Sequence, residues 1–433
     1  MIRSLPEDVL EVIEDLRSRG LEYVEVFYKK GRTRSTATVA DRHLGGHAQE
    51  EGWAVRAGTE RASFFTAESG HACRAAWPEP DGQGLALPAP EAPQWTPPPD
   101  LDAPLASDTE AVGLLASIER ALGAELPGAR LLRAQLEDGS AEITIASSRG
   151  VAASYRARLC SLRAWARLGE HRVEVQVAER EPRRLDVSAV ARRLADRLAI
   201  LDRGAPVDRD RAEVLIGSDI GAALLEALAP FLIGAHGLRI LRALADPQGR
   251  IASEQLTLVD DGGRRDGLLS APVDGEGVPT RKVTLIERGE LVQSLRPWWE
   301  RLDGRVSGCS RRVGWRDLPD PGPSHLFVQP DPRQSVAGLL GDLARGYYFL
   351  DIEGPATIDP EGDRFAVPVL GFAVVGGRPS APVKGVRLHG SLRSLLRGVA
   401  GVGRDLRFVP RGRGVVGAPT MLLSGVEVSA GPS

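Results

Sequence analysis

Lys282-Val283-Thr284-Leu285-Ile286-Glu287, then Arg288-Gly289, then Glu290-Leu291-Val292-Gln293-Ser294-Leu295 reads as a β-hairpin. Two runs rich in β-branched and apolar residues flank a two-residue turn that contains glycine. The β character extends outward from it. Tyr347–Glu353, Phe365–Val375 and Met421–Val428 are further strand runs, interrupted by helical segments near Gln334–Arg345 and Ser391–Val399. The chain from about Ala212 is therefore expected to form a large β-rich domain. No period of ~20–50 residues recurs, which argues against a solenoid or propeller.

Towards the N-terminus, Gly204–Arg211 reads as a boundary. Before it, a helix begins near Asp186 with Val187, Val190, Leu194, Leu198 and Leu201 at helical spacing. Arg130–Leu136, Glu142–Ser147, Ala152–Arg163 and Arg172–Ala178 are strand runs. Ser107 stands three residues before Glu110 as a capping box and opens a helix carrying Val112, Leu115, Ile118 and Leu122. Nine prolines between Pro78 and Pro104 predict an extended connector with no packed core of its own. Ahead of it lie a helix over Pro6–Arg19, stopped at Gly20, and short strands Leu21–Tyr28, Thr33–Ala40, Trp53–Ala57 and Ala62–Glu68. The expected class is α+β: an N-terminal α/β unit (1–76), a Pro-rich connector (77–106), a middle sheet-and-helix unit (107–204) and a larger β-rich C-terminal domain (212–430).

The 433 residues are 42% hydrophobic and 26% charged with a net charge of −3, the composition of an ordinary globular protein. A near-neutral chain offers no sustained field for nucleic acid or an anionic membrane, so neither is expected as a partner. Arg192-Arg193 and Arg311-Arg312 read as solvated faces. Cys73, Cys160 and Cys309 are too scattered for a disulfide framework. The N-terminal residues lack an apolar signal region, and no window approaches ~18 uninterrupted apolar residues. A cytoplasmic location is expected.

Chemical motifs are scarce. His43 and His47, with Glu50 and Glu51 after them, imitate a metal site, but no third ligand is fixed nearby and loop or strand-turn histidines are the simpler reading. Cys309 beside Arg311, with His325 downstream, is a thin case for a thiol dyad. Asp260, Asp261, Asp266, Asp274 and Glu276 sit among glycines, where Asp serves turn chemistry. No nucleophile elbow, phosphate loop or dinucleotide fingerprint occurs.

Several stretches, in order, resemble the TldD/PmbA (TldE) family, known as modulator-of-gyrase proteins and as metalloproteases. They are Tyr23–Tyr28, Gly52–Arg56 and Phe64-Phe65, then Leu256–Asp261, Asp274-Gly275-Glu276-Gly277-Val278-Pro279-Thr280, Leu285–Leu291 and Gly417-Ala418-Pro419-Thr420. The family's catalytic branch carries His-Glu-x-x-x-His on a helix and a later Cys, which bind the metal. The matching stretch here is Ala212–Ala229. The first His becomes Leu225, the Glu stays as Glu226, and the second His becomes Pro230, which would end or kink the helix. No Cys follows Cys309, and Asp405 or a neighbour stands near its place.

The resemblance therefore implies the TldE/PmbA branch, with no catalytic residue, metal ligand or cofactor in this chain. By that reading the chain is a non-catalytic subunit of a heterodimeric zinc-dependent peptidase acting on unfolded or modified peptides. The zinc is expected in a TldD-like partner, with a homodimer as the other assembly. The alternatives are a stand-alone gyrase-modulator-like regulatory protein, and an active peptidase with replaced ligands (His43, His47 and Glu51, or Cys309 with His325).

Overall fold

The computed structural model describes residues 7–39, 42–70, 77–300, 306–411 and 414–431. Pro6, Ala40 and Cys73, named above, lie outside them. Helix α1 (Glu7–Ser18) buries Val9, Val12, Ile13 and Leu16 as its spacing predicts. Strands β1 (Tyr23–Val39), β2 (Arg42–Gly58) and β3 (Ser63–Ser69) follow. Beyond the connector come α2 (Asp108–Glu125), β4 (Arg130–Ser147), β5 (Ala152–Leu168), β6 (His171–Glu179) and α3 (Val187–Arg203). The Ser107–Glu110 capping box is complete, and Asp186 caps α3 by accepting from the Ala189 N–H.

The six strands form one antiparallel sheet in the order β3-β2-β1-β4-β5-β6. The units read on either side of the connector are thus hydrogen-bonded to each other along β1 and β4, with Glu25 opposite Ser147 and Val39 opposite Arg133. Two short strands expected at Leu21–Tyr28 and Thr33–Ala40 are one long β1, and Arg130–Leu136 and Glu142–Ser147 are one long β4. Gly31 and Gly139 lie inside these long strands and permit close approach. A Cβ on Gly31 would lie 2.9 Å from Glu50, and one on Gly139 would lie 3.1 Å from Thr33. The connector has neither helix nor strand, yet it is pinned: Leu87 is buried, Trp95 Nε1 donates to Ser270 Oγ (2.9 Å), and Asp100 pairs with buried Arg180 (2.6 Å).

The remainder contains β7 (Asp210–Ile216), α4 (Ser218–Leu228), α5 (Gly234–Arg242), β8 (Leu258–Asp261), β9 (Lys282–Glu287), β10 (Glu290–Leu291), β11 (Ser310–Arg311), β12 (Asp320–Pro321) and β13 (His325–Val328). After these come α6 (Val336–Asp342), β14 (Arg345–Ile352), β15 (Thr357–Asp359), β16 (Arg364–Val375), β17 (Arg378–Gly390), α7 (Leu392–Arg397), β18 (Val399–Val402), β19 (Arg407–Arg411), β20 (Gly414–Ala418) and β21 (Met421–Ala430). The expected hairpin is present as β9–β10, with Arg288 and Gly289 both at positive φ.

One sheet runs β10-β9-β8-β13-β20-β19. In the other, β14, β7, β21, β17 and β16 pair in sequence, and β16 pairs again with β14, closing a ring. Its interior joins the largest core, through Val214, Ile216, Phe349, Val367, Val386 and Val428. This is the mixed α+β, β-rich C-terminal architecture expected. Among the described residues no helix is long and apolar enough to cross a membrane.

Candidate functional site

Strand β7 runs out of the ring into α4, and every α4 residue except Glu226 and Ala227 is buried. Leu225 packs into the large core and offers no donor atom. Glu226 is half-exposed and paired with Arg411 of β19 at 3.2 Å. The α-helix ends at Leu228 and Pro230 falls, exposed, in the 3-10 turn Ala229–Leu232, as its missing N–H requires. Asp405 accepts both the Thr420 N–H (3.1 Å) and the Thr420 hydroxyl (2.7 Å), so it braces the Pro419-Thr420 turn. The side chains at these positions do not fit a metal. Among the described residues no trio of His, Cys, Asp and Glu is grouped to hold one.

The other candidate sites are separated too. His43 and His47 stand exposed within β2, opposite Thr38 and Arg34, rather than in a loop. His43 Nδ1 lies 3.0 Å from Thr38 Oγ1, and Glu51 is held by the Tyr28 hydroxyl (2.6 Å) and Lys30 (3.0 Å). Cys309 is fully buried in the core, and burial, with Asp274 nearby, pushes its thiol well above the usual range. Buried His325 has both ring nitrogens committed to backbone: Nδ1 donates to Asp261 O (2.8 Å), and Nε2 accepts from Leu269 N–H (3.0 Å). It has no nitrogen left to act as base for Cys309.

Asp274 and Glu276 belong to a buried ionic network. Asp274 Oδ1 accepts from the Glu276 and Val278 N–H groups, and its Oδ2 from Ser310 N–H. Glu276 accepts from the Ser310 hydroxyl (2.6 Å) and from Arg56 of β2 (3.2 Å). Arg56 also grips Glu25 of β1, which pairs in turn with Arg312. Burial opposes ionisation of Glu25, but the two guanidiniums outweigh it and hold the carboxyl below its usual range. The network clamps the first sheet onto the C-terminal half.

A cleft of about 590 Å³ lies beside α4, where α3 and β6 meet β14 and β19. Arg193 and Arg197, one turn apart on α3, reach into it. Arg193 pairs with Asp219 in the first turn of α4 (2.7 Å), as does Arg407, and Arg197 lies 3.3 Å from Asp351 of β14. Burial works against the charge on Asp219, but Arg193 and Arg407 hold its carboxyl below the usual range. Burial and the neighbouring Asp219 raise that of Asp351.

The reading of Arg192-Arg193 and Arg311-Arg312 as solvated faces is thus corrected. Arg192 is largely exposed, while Arg193 and Arg312 enter ionic networks whose acids lie far away in the chain. The sequence signal for Arg193 was its i, i+4 spacing with Arg197 along the edge of an apolar helix face.

A family profile described as the PmbA/TldA metallopeptidase C-terminal domain matches residues 209–430, just over half of the chain. A metalloprotease of Methanothermobacter thermautotrophicus is 28% identical over 241 residues, 54% of this chain and 51% of that protein. Metalloprotease PmbA of Escherichia coli is 25% identical over 197 residues, 45% and 42% respectively. The matched stretch thus spans about half, or less, of these relatives' length. The crystal structure of TldE from Thermococcus kodakarensis superposes with a TM-score of 0.84 at 18% identity, covering 98% of this chain and all of that one. A Thermotoga maritima structure described as a candidate modulator of a DNA gyrase gives 0.78 at 18% identity, covering 98% and 99%. The fold is therefore that of TldE, and by the match over its C-terminal domain the chain belongs to the PmbA/TldD metallopeptidase family.

Proposed function

We propose that this chain is the TldE/PmbA-like, non-catalytic subunit of a heterodimeric zinc-dependent peptidase that degrades or matures unfolded or modified peptides. The zinc would reside in a TldD-like partner. The observation that carries this reading is the helix α4 and the turn after it. Leu225 fills the core where the family's first histidine would stand, and Pro230 terminates the helical path where the second would stand. Glu226 keeps its carboxylate, but a general base for water needs a metal or another activator beside it, and its partner here is Arg411.

Extended peptides suit a chain rich in strand edges, because main-chain hydrogen bonds hold them without strict sequence preference. Strands β6 and β19 are terminal in their sheets and both line the cleft beside α4. An obligate pair of this kind would bury an interface of about 2,000 Å² or more.

Co-expression with a homologue carrying His-Glu-x-x-x-His tests the proposal. The two chains should co-purify, and peptidase activity should appear only in the mixture. Metal-dependent proteolysis by this chain alone would overturn it. A stable complex with gyrase but none with the homologue would favour a regulatory role instead.

A further inference from the structure

The cleft beside α4 holds basic groups that the ionic pairs do not use up. Arg193 spends Nη2 on Asp219, and Arg411 spends Nη1 on Glu226. Arg197 spends Nη1 on Glu174 O of β6 and Nη2 on Ile352 O of β14. Arg193 Nη1, Arg197 Nε and Arg411 Nε remain buried without a hydrogen-bond partner, although Arg197 Nε lies near Asp351 in an unaligned ion pair. Such donors around one cleft are costly for a folded protein: Arg193 Nη1 and Arg411 Nε have lost water and gained no partner, and Arg197 Nε has only the unaligned ion pair.

The charge of the missing partner follows from its neighbours. Glu174, Asp219, Asp351 and Glu353 already line the cleft, so a dianionic phosphate would meet four carboxyl groups. A single planar carboxylate brings one charge and two acceptor oxygens, which matches the fork of a guanidinium. The edges of β6 and β19 flank the place where it would sit and can accompany the rest of an extended chain.

We infer that Arg193, Arg197 and Arg411 form a recognition site for a carboxylate on an extended peptide, either its C-terminus or an acidic side chain. The inference rests on the reading that the protein handles peptides. It adds that a carboxylate anchors them on this subunit.

The test is a fluorescence-anisotropy titration of the full chain with a fluorescein-labelled, alanine-rich hexapeptide. Three forms are compared: the free acid, the C-terminal amide, and the amide with one internal glutamate. The free acid or the glutamate form should bind about 10- to 100-fold more tightly than the plain amide, the worth of one or two charge-assisted hydrogen bonds. Which of the two does so identifies the source of the carboxylate.

Arg197→Gln should erase the difference. Because that change also touches the buried acids, Arg411→Gln provides a second variant at a partly exposed position and should reduce the preference several-fold with an unchanged melting temperature. Equal binding of all three peptides would overturn the site, as would a preference untouched by both variants. A mixture with the TldD-like subunit that hydrolyses peptides without any acid preference would overturn this inference and leave the proposed function standing. A carboxylate preference in a chain that forms no active mixture would do the reverse.

Discussion

His325 offers a quantitative check on the buried joint between β8 and β13. The neutral ring carries its proton on Nδ1, which donates to Asp261 O, and Nε2 accepts from the Leu269 N–H. Protonating Nε2 would set one N–H against another inside a fully buried pocket. Burial dominates the shift, the nearby Arg311 and Arg264 add to it, and Asp266 opposes it. The imidazole pKa falls to about 3 from 6.5. In the unfolded chain the histidine binds its proton near 6.5, so between about pH 6.5 and 3 the unfolded state holds more protons. Stability from this group is therefore complete above pH 6.5 and is lost as the pH falls through that window.

At about 1.36 kcal/mol per pKa unit, the loss reaches about 2 kcal/mol at pH 5 and about 4 kcal/mol near pH 3. Other groups titrate in the same range, with the raised carboxyls of Asp260 and Asp274 contributing in the opposite sense. The measurement is therefore a double difference: urea unfolding free energies at pH 7.5 and 5.0, for the wild type and for His325→Gln. The wild type should lose about 2 kcal/mol more than the variant between the two conditions. An identical pH dependence of the two proteins would refute the argument, because it would mean that the ring titrates in the native state as it does in the unfolded chain.

Three further outcomes are expected. Arg312→Met leaves Glu25 with Arg56 alone in a buried network and should cost about 3–5 kcal/mol in chemical denaturation, the price of breaking a buried ion pair from one side. Leu225→His with Pro230→His should lower the melting temperature and still yield under a tenth of an equivalent of zinc by elemental analysis, since Asp405 is engaged by Thr420. Ser107→Ala removes one half of the capping box and should cost about 1 kcal/mol in the unfolding of the first sheet's helices, without changing peptide binding.

Local signals were readable in the sequence. The Ser107–Glu110 box, the Asp186 cap and the Arg288-Gly289 turn each depend on residues within four positions of one another, so spacing alone reveals them. The continuity of β1 and of β4 was not legible, because it depends on partner strands elsewhere in the chain, about 20 to more than a hundred residues away. Gly31 lies opposite Ala141 and Glu50, and Gly139 lies opposite Thr33 and Leu159. The same distance hid the cleft. Nothing near Arg193 in the chain announces Asp219 or Asp351, and nothing near Arg312 announces Glu25. Residues Leu225, Glu226 and Pro230 were found by resemblance, and their geometry is a core leucine, a surface ion pair and a helix stop.

The junction of β1 with β4 has a kinetic consequence. β1 can pair with β2 as soon as both leave the ribosome, but its other edge waits for residues 130–147. At about 5–20 residues per second, that edge stays open for roughly 5–20 seconds during synthesis. An unpaired strand edge of this length is a template for wrong partners. The polar stretch Arg32-Thr33-Arg34-Ser35-Thr36 runs along it. These charged and hydroxyl-bearing side chains keep the nascent edge soluble until its own partner arrives, so a Val or Ile replacement at Arg32 or Arg34 should reveal itself first as insoluble product.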